Sequence, residues 1–207
     1  PGLFSANPDI DPTIASNLEA GLRYKGTDGS EGKASVYRID SSREIIYNSF
    51  SAPLPKNENF DTLRRGIELS GKRLLTERMS LSFSYTFSHA IFSSGQFNGK
   101  KIPLTPRNKY TAQIDYKILD DLNIGVDWLG VNGEFALNDF NNFYSLEGYN
   151  VFNGKLSFER GNINAYLTAR NLFNLKYSPS VASNATGAIR YNPAPERSIV
   201  VGAKLSL

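Results

Sequence analysis

The side chains that could carry out covalent chemistry are few and isolated in this sequence. His89 is the one histidine, and it stands beside serines as a Ser–His nucleophile would require. No carboxylate at a suitable spacing completes a triad around it. Asp120 and Asp121 could bind a metal ion, but adjacent carboxylates between two strands are more typical of a solvated hairpin tip. The pattern therefore predicts no catalytic residues and no metal site.

The composition argues against several other functions. Cysteine is absent, so the chain has neither a disulfide nor a thiolate nucleophile. No phosphate-binding motif such as G-x-x-x-x-G-K-S is present. The 23 basic and 20 acidic residues are spread evenly and give a net charge of +3, which does not indicate a nucleic-acid surface. We therefore predict a protein that is not an enzyme, has no cofactor and binds no nucleic acid.

An alternation of apolar and polar side chains with a period of two runs through most of the chain. It is clearest from Met79 to Ser88, where apolar residues alternate with serine or threonine. This period is that of a β-strand with one apolar and one polar face. It recurs, in places more weakly, at 17–25, 33–40, 64–72, 110–118, 122–128, 149–159, 163–170 and 198–207. The sequence thus predicts an all-β chain of about nine strands.

The connections between these strands alternate between short and long. The short ones are 26–32, 73–78, 119–121 and 160–162, and the long ones are 41–63, 89–108, 130–148 and 171–197. Outer-membrane barrels have this asymmetry, with tight periplasmic turns and long external loops. A soluble sandwich has no reason to keep it. We therefore predict an antiparallel transmembrane β-barrel whose long loops face outward from the cell.

Hydropathy agrees with a barrel better than with membrane helices. The mean hydropathy is −0.35, and no stretch approaches the roughly 20 apolar residues that a membrane helix needs. Strands of a membrane barrel do not need a continuous apolar run, because polar residues occupy alternate positions. Aromatic residues near strand ends are interpreted as interfacial girdles, with core packing in a soluble protein as the alternative: Tyr24, Phe87, Tyr110, Trp128, Tyr149 and Phe158.

A set of motifs near the C-terminal end resembles a known family. Asn171-Leu172-Phe173-Asn174 is followed by Tyr177, and then by a Y-x-P-x-P-x-R pattern that leads into the last strand. The residues that carry the resemblance are Asn171, Leu172, Phe173, Tyr177, Tyr191, Pro193, Pro195 and Arg197. This arrangement resembles the closing segment of TonB-dependent outer-membrane receptors. Because prolines interrupt ladder hydrogen bonding, we expect these residues to be structural.

The resemblance implies a fold and a location for the chain. Residues 1–207 would be the C-terminal portion of a barrel of about 22 strands, in a Gram-negative outer membrane. The N-terminal plug domain and the earlier strands would be absent from it. The odd number of predicted strands agrees with a partial barrel, because bacterial barrels ordinarily close with an even number of strands.

The resemblance also implies a function and its partners. Such receptors bind and import a scarce nutrient, most often a ferric siderophore or similar iron complex, energised through TonB. The expected partners are outer-membrane lipid, the iron chelate and TonB, the last through the missing N-terminal part. Polar-face charges would line the lumen, where they could pair with the plug or simply be hydrated: Glu19, Arg23, Glu68, Asp115, Lys117, Asp127, Lys155, Glu159 and Arg170.

In receptors of this kind the external loops take part in ligand capture. Loop residues with aromatic or polar reach are therefore the candidate contacts, with loop packing as the alternative role of each: Phe97, Asp139, Asn142, Tyr144, Tyr177 and Tyr191. Two other functions remain open at this point. One is a complete small barrel that acts as a pore or adhesin, and the other is a soluble β-sandwich binding module.

Overall fold

The computed structural model describes residues 6–49, 54–183 and 189–206, and its regular secondary structure is almost entirely β-strand. One short 3-10 turn, Gly95–Phe97, interrupts a loop. The strands are β1 (Ile14–Lys25), β2 (Glu31–Asn48), β3 (Lys56–Thr76), β4 (Met79–Phe92), β5 (Asn108–Leu119), β6 (Leu122–Val131), β7 (Glu134–Phe135), β8 (Ser145–Leu146), β9 (Tyr149–Arg160), β10 (Ile163–Arg170), β11 (Ser180–Ser183), β12 (Ile189–Asn192) and β13 (Ser198–Leu205). None of the described residues belongs to a helix long and apolar enough to cross a membrane.

Nine of the strands form one antiparallel sheet in the order β1-β2-β3-β4-β5-β6-β9-β10-β13. Each predicted strand is present, and every strand of this sheet pairs with the previous one along the chain. The remaining strands form two small hairpins, β7-β8 and β11-β12, inside the long loops. In the described part of the chain β1 and β13 are the two edges of the sheet. Residue 207, the last of the predicted strand 198–207, lies outside the described residues.

The register gives the sheet one apolar and one polar face. Residues paired across antiparallel strands point to the same side, so the pairs Ala20↔Val36 and Leu167↔Val201 define an apolar face. This face is open to its surroundings: Leu22 is 79% exposed and Val201 is 73% exposed. A soluble sandwich would bury these side chains against a second sheet, so the exposed apolar face fits a lipid contact.

The polar face carries all nine of the charged residues that the sequence places in a lumen. For example, Glu68 pairs with Ser35 and Thr86, and Lys155 pairs with Gly125. The girdle prediction is wrong for one aromatic residue. Tyr149 pairs with Val131 and lies on the polar face, because the alternation in β9 puts Asn150 and Phe152 on the apolar side. The other five predicted girdle residues lie on the apolar face.

A continuous row of aromatic rings crosses the apolar face. Tyr85 stacks on Tyr110 with ring centroids 5.0 Å apart, and Tyr110 stacks on Trp128 at 5.9 Å. Trp128 stacks on Phe152 at 6.4 Å, and Phe152 meets Phe173 edge-on at 5.5 Å. Their position on this face makes the row part of the lipid-contacting surface.

Strands β2 and β3 extend beyond their predicted ends toward the long loops. A bulge between Ser41 and Glu44 interrupts their pairing, and Arg43 there has a φ of 58°. Beyond the bulge the pairing resumes as far as Asn48 opposite Lys56. The predicted long loop at 41–63 is consequently shorter in the structure, since strand pairing occupies most of it.

Candidate functional site

The long loops at one end of the sheet pack on one another and form a loop cluster made of 93–107, 132–148 and the described part of 171–197. The backbone N–H of Leu104 donates to the carbonyl of Phe135 at 3.0 Å. The N–H of Leu137 donates to the carbonyl of Val181 at 2.6 Å, which joins the second loop to the third. The loop cluster is therefore a connected structure in which residues distant in sequence lie side by side.

An aromatic core attaches the loop cluster to the polar face of the sheet. Phe92 of β4 and Phe140 of the second loop are buried, with ring centroids 5.1 Å apart. Phe60 of β3 lies 5.4 Å from Phe92 and 5.3 Å from Phe140. Phe97, a predicted ligand contact, packs in the same group at 5.2 Å from Phe140. Phe97 thus sits at a loop-packing position.

Two further predicted contacts hold the second loop in shape. Asp139 is 4% exposed, and its carboxylate accepts the backbone N–H of Tyr144 at 2.7 Å. Asn142 has a φ of 60°, accepts the N–H of Lys101 at 2.7 Å and donates to the Lys101 carbonyl at 2.9 Å. Asn142 therefore joins the first loop to the second. Tyr144, 37% exposed, keeps an accessible ring.

The remaining two predicted contacts differ in their surroundings. Tyr177 packs on Tyr149 with ring centroids 4.4 Å apart. Burial, together with Tyr177 and Glu134, raises the pKa of Tyr149, and burial raises the pKa of Glu134 itself. Tyr191 is 66% exposed in β12. Of the six predicted contacts, Tyr144 and Tyr191 thus present the most accessible aromatic rings, and the other four are engaged in loop contacts.

The two asparagines of the Asn-Leu-Phe-Asn motif hold together the two ends of the third loop. Asn171 is 5% exposed, donates from Nδ2 to the carbonyls of Leu175 at 2.9 Å and Pro195 at 3.3 Å, and accepts the Leu175 N–H at 2.8 Å. Asn174 accepts the backbone N–H of Arg197 at 2.8 Å. Both have positive φ values, a conformation that asparagine tolerates better than most residues.

The apolar pair of the same motif anchors this loop to the sheet. The Leu172 N–H donates to the Phe152 carbonyl at 2.8 Å, and its side chain lies over Gly154. Phe173 is exposed on the apolar face, where it joins the aromatic row. Pro193 lies in the segment after β12 that carries no ladder pairing.

A polar network that the sequence analysis did not single out supports the extended ends of β2 and β3. Arg64 makes a bidentate ion pair with Glu44 at 2.6 and 2.8 Å, and Thr62 donates to the same carboxylate. Burial alone would raise the pKa of Glu44, but the hydrogen bonds from Arg64 and Thr62 lower it overall. The ion pair between Arg64 and Glu44 depends on the bulge before Glu44, and no local sequence pattern predicts that bulge.

The described residues contain no group of three or more histidine, aspartate or glutamate side chains suited to a metal ion. Asp120 belongs to the turn between β5 and β6, 3.7 Å from the guanidinium of Arg78. His89 lies on the apolar face opposite Arg65, on the other side of the sheet from the aromatic core. The residues first considered for chemistry are thus dispersed over the sheet.

Comparison with known proteins decides what kind of sheet this is. The family model described as "TonB dependent receptor-like, beta-barrel" matches residues 1–172. The chain belongs to this family. It is accordingly an all-β segment of an outer-membrane barrel, and the long-loop end is the external end. The family consists of transport receptors.

The relatives include named siderophore receptors. The chain is 26% identical over 180 residues to the ferrioxamine B receptor of Salmonella typhimurium, covering 81% of the chain and 25% of that protein. It is 25% identical over 211 residues to the catecholate siderophore receptor Fiu of Escherichia coli K12, covering 97% of the chain and 27% of that protein. The chain thus spans about a quarter of the length of these relatives.

Solved structures share the fold. The closed form of the ferric-catecholate import receptor Fiu from Escherichia coli K12 superimposes with a TM-score of 0.76 at 23% identity, over 96% of this chain and 28% of that one. The ferric yersiniabactin uptake receptor FyuA of Yersinia pestis gives a TM-score of 0.80 at 16% identity, over 93% and 30% of the two chains. At these identities the likeness concerns the fold alone.

Proposed function

We propose that the intact protein is an outer-membrane receptor that binds a ferric siderophore or a similar iron complex and imports it with energy from TonB. The single observation that carries this proposal is the family match over residues 1–172. The siderophore receptors among the relatives support iron chelates as the cargo. The protein carries out no covalent chemistry in this proposal, because import requires binding and release only.

The loop cluster is the proposed ligand-capturing surface of this part of the protein. Its accessible rings, Tyr144 and Tyr191, are the proposed contacts, since an aromatic face can pack against the organic shell of an iron chelate. Phe97, Asp139 and Asn142 act as positioning residues, since they hold the loops that present those rings. Tyr177 has the same role through its contact with Tyr149.

We further propose that the chain is the C-terminal portion of a barrel of about 22 strands that encloses an N-terminal plug. The two unpaired edges of the described sheet support this proposal, because a spanning strand with an open edge is not stable in lipid. The polar face, which includes Glu68 and Lys155, would line the space that the plug occupies. TonB would act through that N-terminal part.

Binding of iron chelates to the full-length receptor tests the role of the loop cluster. Ligand-induced fluorescence quenching is measured in detergent with a panel of ferric hydroxamates, ferric catecholates and ferric citrate. We expect one chelate class to bind, with affinity about tenfold weaker when both Tyr144 and Tyr191 are replaced by alanine. The control is Tyr116→Ala on the apolar face, which should leave affinity unchanged. Equal affinity in all three proteins would contradict the assignment of the contacts, and no binding of any chelate would contradict the iron-complex cargo.

A further inference from the structure

An unusual group of basic residues lies on the apolar face of the sheet. It consists of Arg65, His89, Lys101 and Arg107, and is called here the basic cluster. Arg65 pairs with His89 across β3 and β4, and this row is in phase with the apolar pair Ile67↔Phe87. The register therefore directs both side chains toward the lipid and away from the lumen.

Loop residues complete the basic cluster on the same side. Lys101 forms a bridge with Ile91, which is in phase with His89, and Arg107 lies over the ring of Phe87 at 5.3 Å. Arg65, Arg107 and Lys101 are all close enough to act electrostatically on the His89 imidazole. Four residues from two strands and one loop thus converge on one outward-facing spot.

The cations of the basic cluster lack anionic partners among the residues that the structure describes. In the described residues no carboxylate lies within 4.0 Å of Arg65, Lys101 or Arg107, and all three side chains are exposed. Neighbouring Arg38 differs, because it forms a bidentate ion pair with Asp40 at 2.7 and 2.9 Å. Three unneutralised charges in one place repel one another, so the arrangement favours an external anion.

The height of the basic cluster matches the headgroup region of a membrane. On β3 the apolar face continues from Arg65 through Ile67, Leu69 and Gly71 to Arg73. Eight residues at roughly 3.3 Å each separate the two arginines by about 26 Å, or about 20 Å along the normal for a tilted strand. That is close to the apolar band of an outer-membrane barrel, and arginine extends further to reach the interface. Arg65 therefore lies at the external boundary and Arg73 at the periplasmic one.

We propose that the basic cluster binds the phosphate groups of a phosphorylated glycolipid in the outer leaflet of the membrane. Charge complementarity identifies the occupant, since the cluster offers guanidinium and ammonium donors at the level where lipid phosphates lie. Arg65 and Arg107 supply planar donors suited to phosphate oxygens, and Lys101 supplies a point charge. The ring of Phe87 supports the Arg107 guanidinium from below and packs against acyl chains.

Lipid binding to the purified full-length receptor tests this proposal. The protein is reconstituted in phosphatidylcholine nanodiscs with bisphosphorylated lipid A, or with the same lipid after removal of its phosphates, and bound lipid is measured by native mass spectrometry. Each cation near a lipid surface contributes about a fivefold change in affinity. The triple variant Arg65→Gln, Lys101→Gln, Arg107→Gln should therefore bind the phosphorylated lipid on the order of a hundredfold more weakly.

The control variant removes the same charge from the polar face. It carries Lys72→Gln, Lys109→Gln and Lys155→Gln, whose side chains point to the lumen. It should bind the phosphorylated lipid as the wild type does. If both variants lose the same affinity for the phosphorylated lipid, net charge alone explains the effect. If the wild type binds the dephosphorylated lipid as tightly as the phosphorylated one, acyl-chain packing suffices. Either result overturns the proposal.

A second measurement covers the case in which the triple variant fails to insert. A photoactivatable lipid A headgroup is crosslinked to the wild-type receptor, with inorganic phosphate as a soluble competitor. The label should fall on the peptides that contain Arg65, His89 and Arg107, and phosphate should not displace it because the lipid is held in the membrane plane. Labelling elsewhere on the barrel, or full displacement by phosphate, would overturn the proposal.

Discussion

Replacing Asn171 by alanine should open the third loop without unfolding the sheet. The substitution removes two donated hydrogen bonds and one accepted bond at a site that is 5% exposed. At about 1 kcal/mol for each bond, the loss is about 3 kcal/mol. Alanine also tolerates the local φ of 51° less well than asparagine, which adds about 1 kcal/mol. The local opening free energy of the loop should therefore fall by about 3–4 kcal/mol.

Amide hydrogen exchange in the full-length receptor measures this change directly. The Leu175 amide donates to Asn171, so its exchange should accelerate on the order of a hundredfold or more in Asn171→Ala. The amide of Ala165 in the middle of β10 should retain its protection. Asn171→Gly separates the two causes, since glycine adopts the same φ without strain and loses only the hydrogen bonds.

Two results would contradict the role assigned to the Asn171 side chain. If exchange at Leu175 is unchanged in Asn171→Ala, the side-chain bonds do not hold the loop ends together. If Asn171→Gly behaves as the wild type while Asn171→Ala does not, backbone conformation alone accounts for the effect. Asn162→Ala, in the turn at the periplasmic end, serves as the control and should leave the Leu175 amide unaffected.

Three further predictions concern other parts of the chain. Phe92→Ala removes a fully buried ring from the aromatic core and should destabilise it by about 3–5 kcal/mol, so the loops at 93–107 and 132–148 should become sensitive to limited proteolysis. The control Phe143→Ala changes an exposed ring and should leave the sensitivity of these loops unchanged. Equal sensitivity of the two variants would contradict the role of the aromatic core. Because the pKa of Glu44 is lowered in the folded state, its contribution to stability is present above the ordinary value of 4.5 and is lost as the pH falls through the folded value. The protection factors of amides at the external ends of β2 and β3, which are exchange rates corrected for the intrinsic pH dependence of amide exchange, should therefore fall on acidification below about 4.5. Glu44→Gln should remove that dependence, and protection factors that do not change with pH in the wild type would refute it. A Cβ on Gly66 would overlap the Phe87 carbonyl oxygen, so Gly66→Ala should reduce the heat-resistant folded fraction on gels, whereas Gly32→Ala, with its nearest atoms at 3.9 Å, should leave it unchanged.

The sheet and its two faces were predictable because a lipid-facing strand must alternate. Met79–Ser88 shows the period without interruption, and the strand occurs as Met79–Phe92. The alternation also puts residues such as Glu68 on the correct face. Tyr149 was assigned to the wrong face because an aromatic near a strand end resembles a girdle residue on either side, and only the pairing with Val131 fixes its phase.

The loop cluster was less predictable, because contacts between distant segments determine it. Phe97 was chosen for its reach, yet its position depends on Phe60 and Phe140 from other elements. His89 was considered for catalysis, but its distinguishing feature is its proximity to three cations. These are Arg65 on the neighbouring strand and Lys101 and Arg107 in a loop. Local sequence patterns do not predict such contacts between residues that are distant in the chain.

TonB-dependent uptake is the most direct test of the central proposal. The complete gene is expressed in an outer membrane, and uptake of radiolabelled ferric hydroxamates, catecholates and citrate is measured with and without TonB. We expect one chelate to accumulate only when TonB is present. Leakage of many solutes, unaffected by loss of TonB, would contradict the receptor and favour a passive pore.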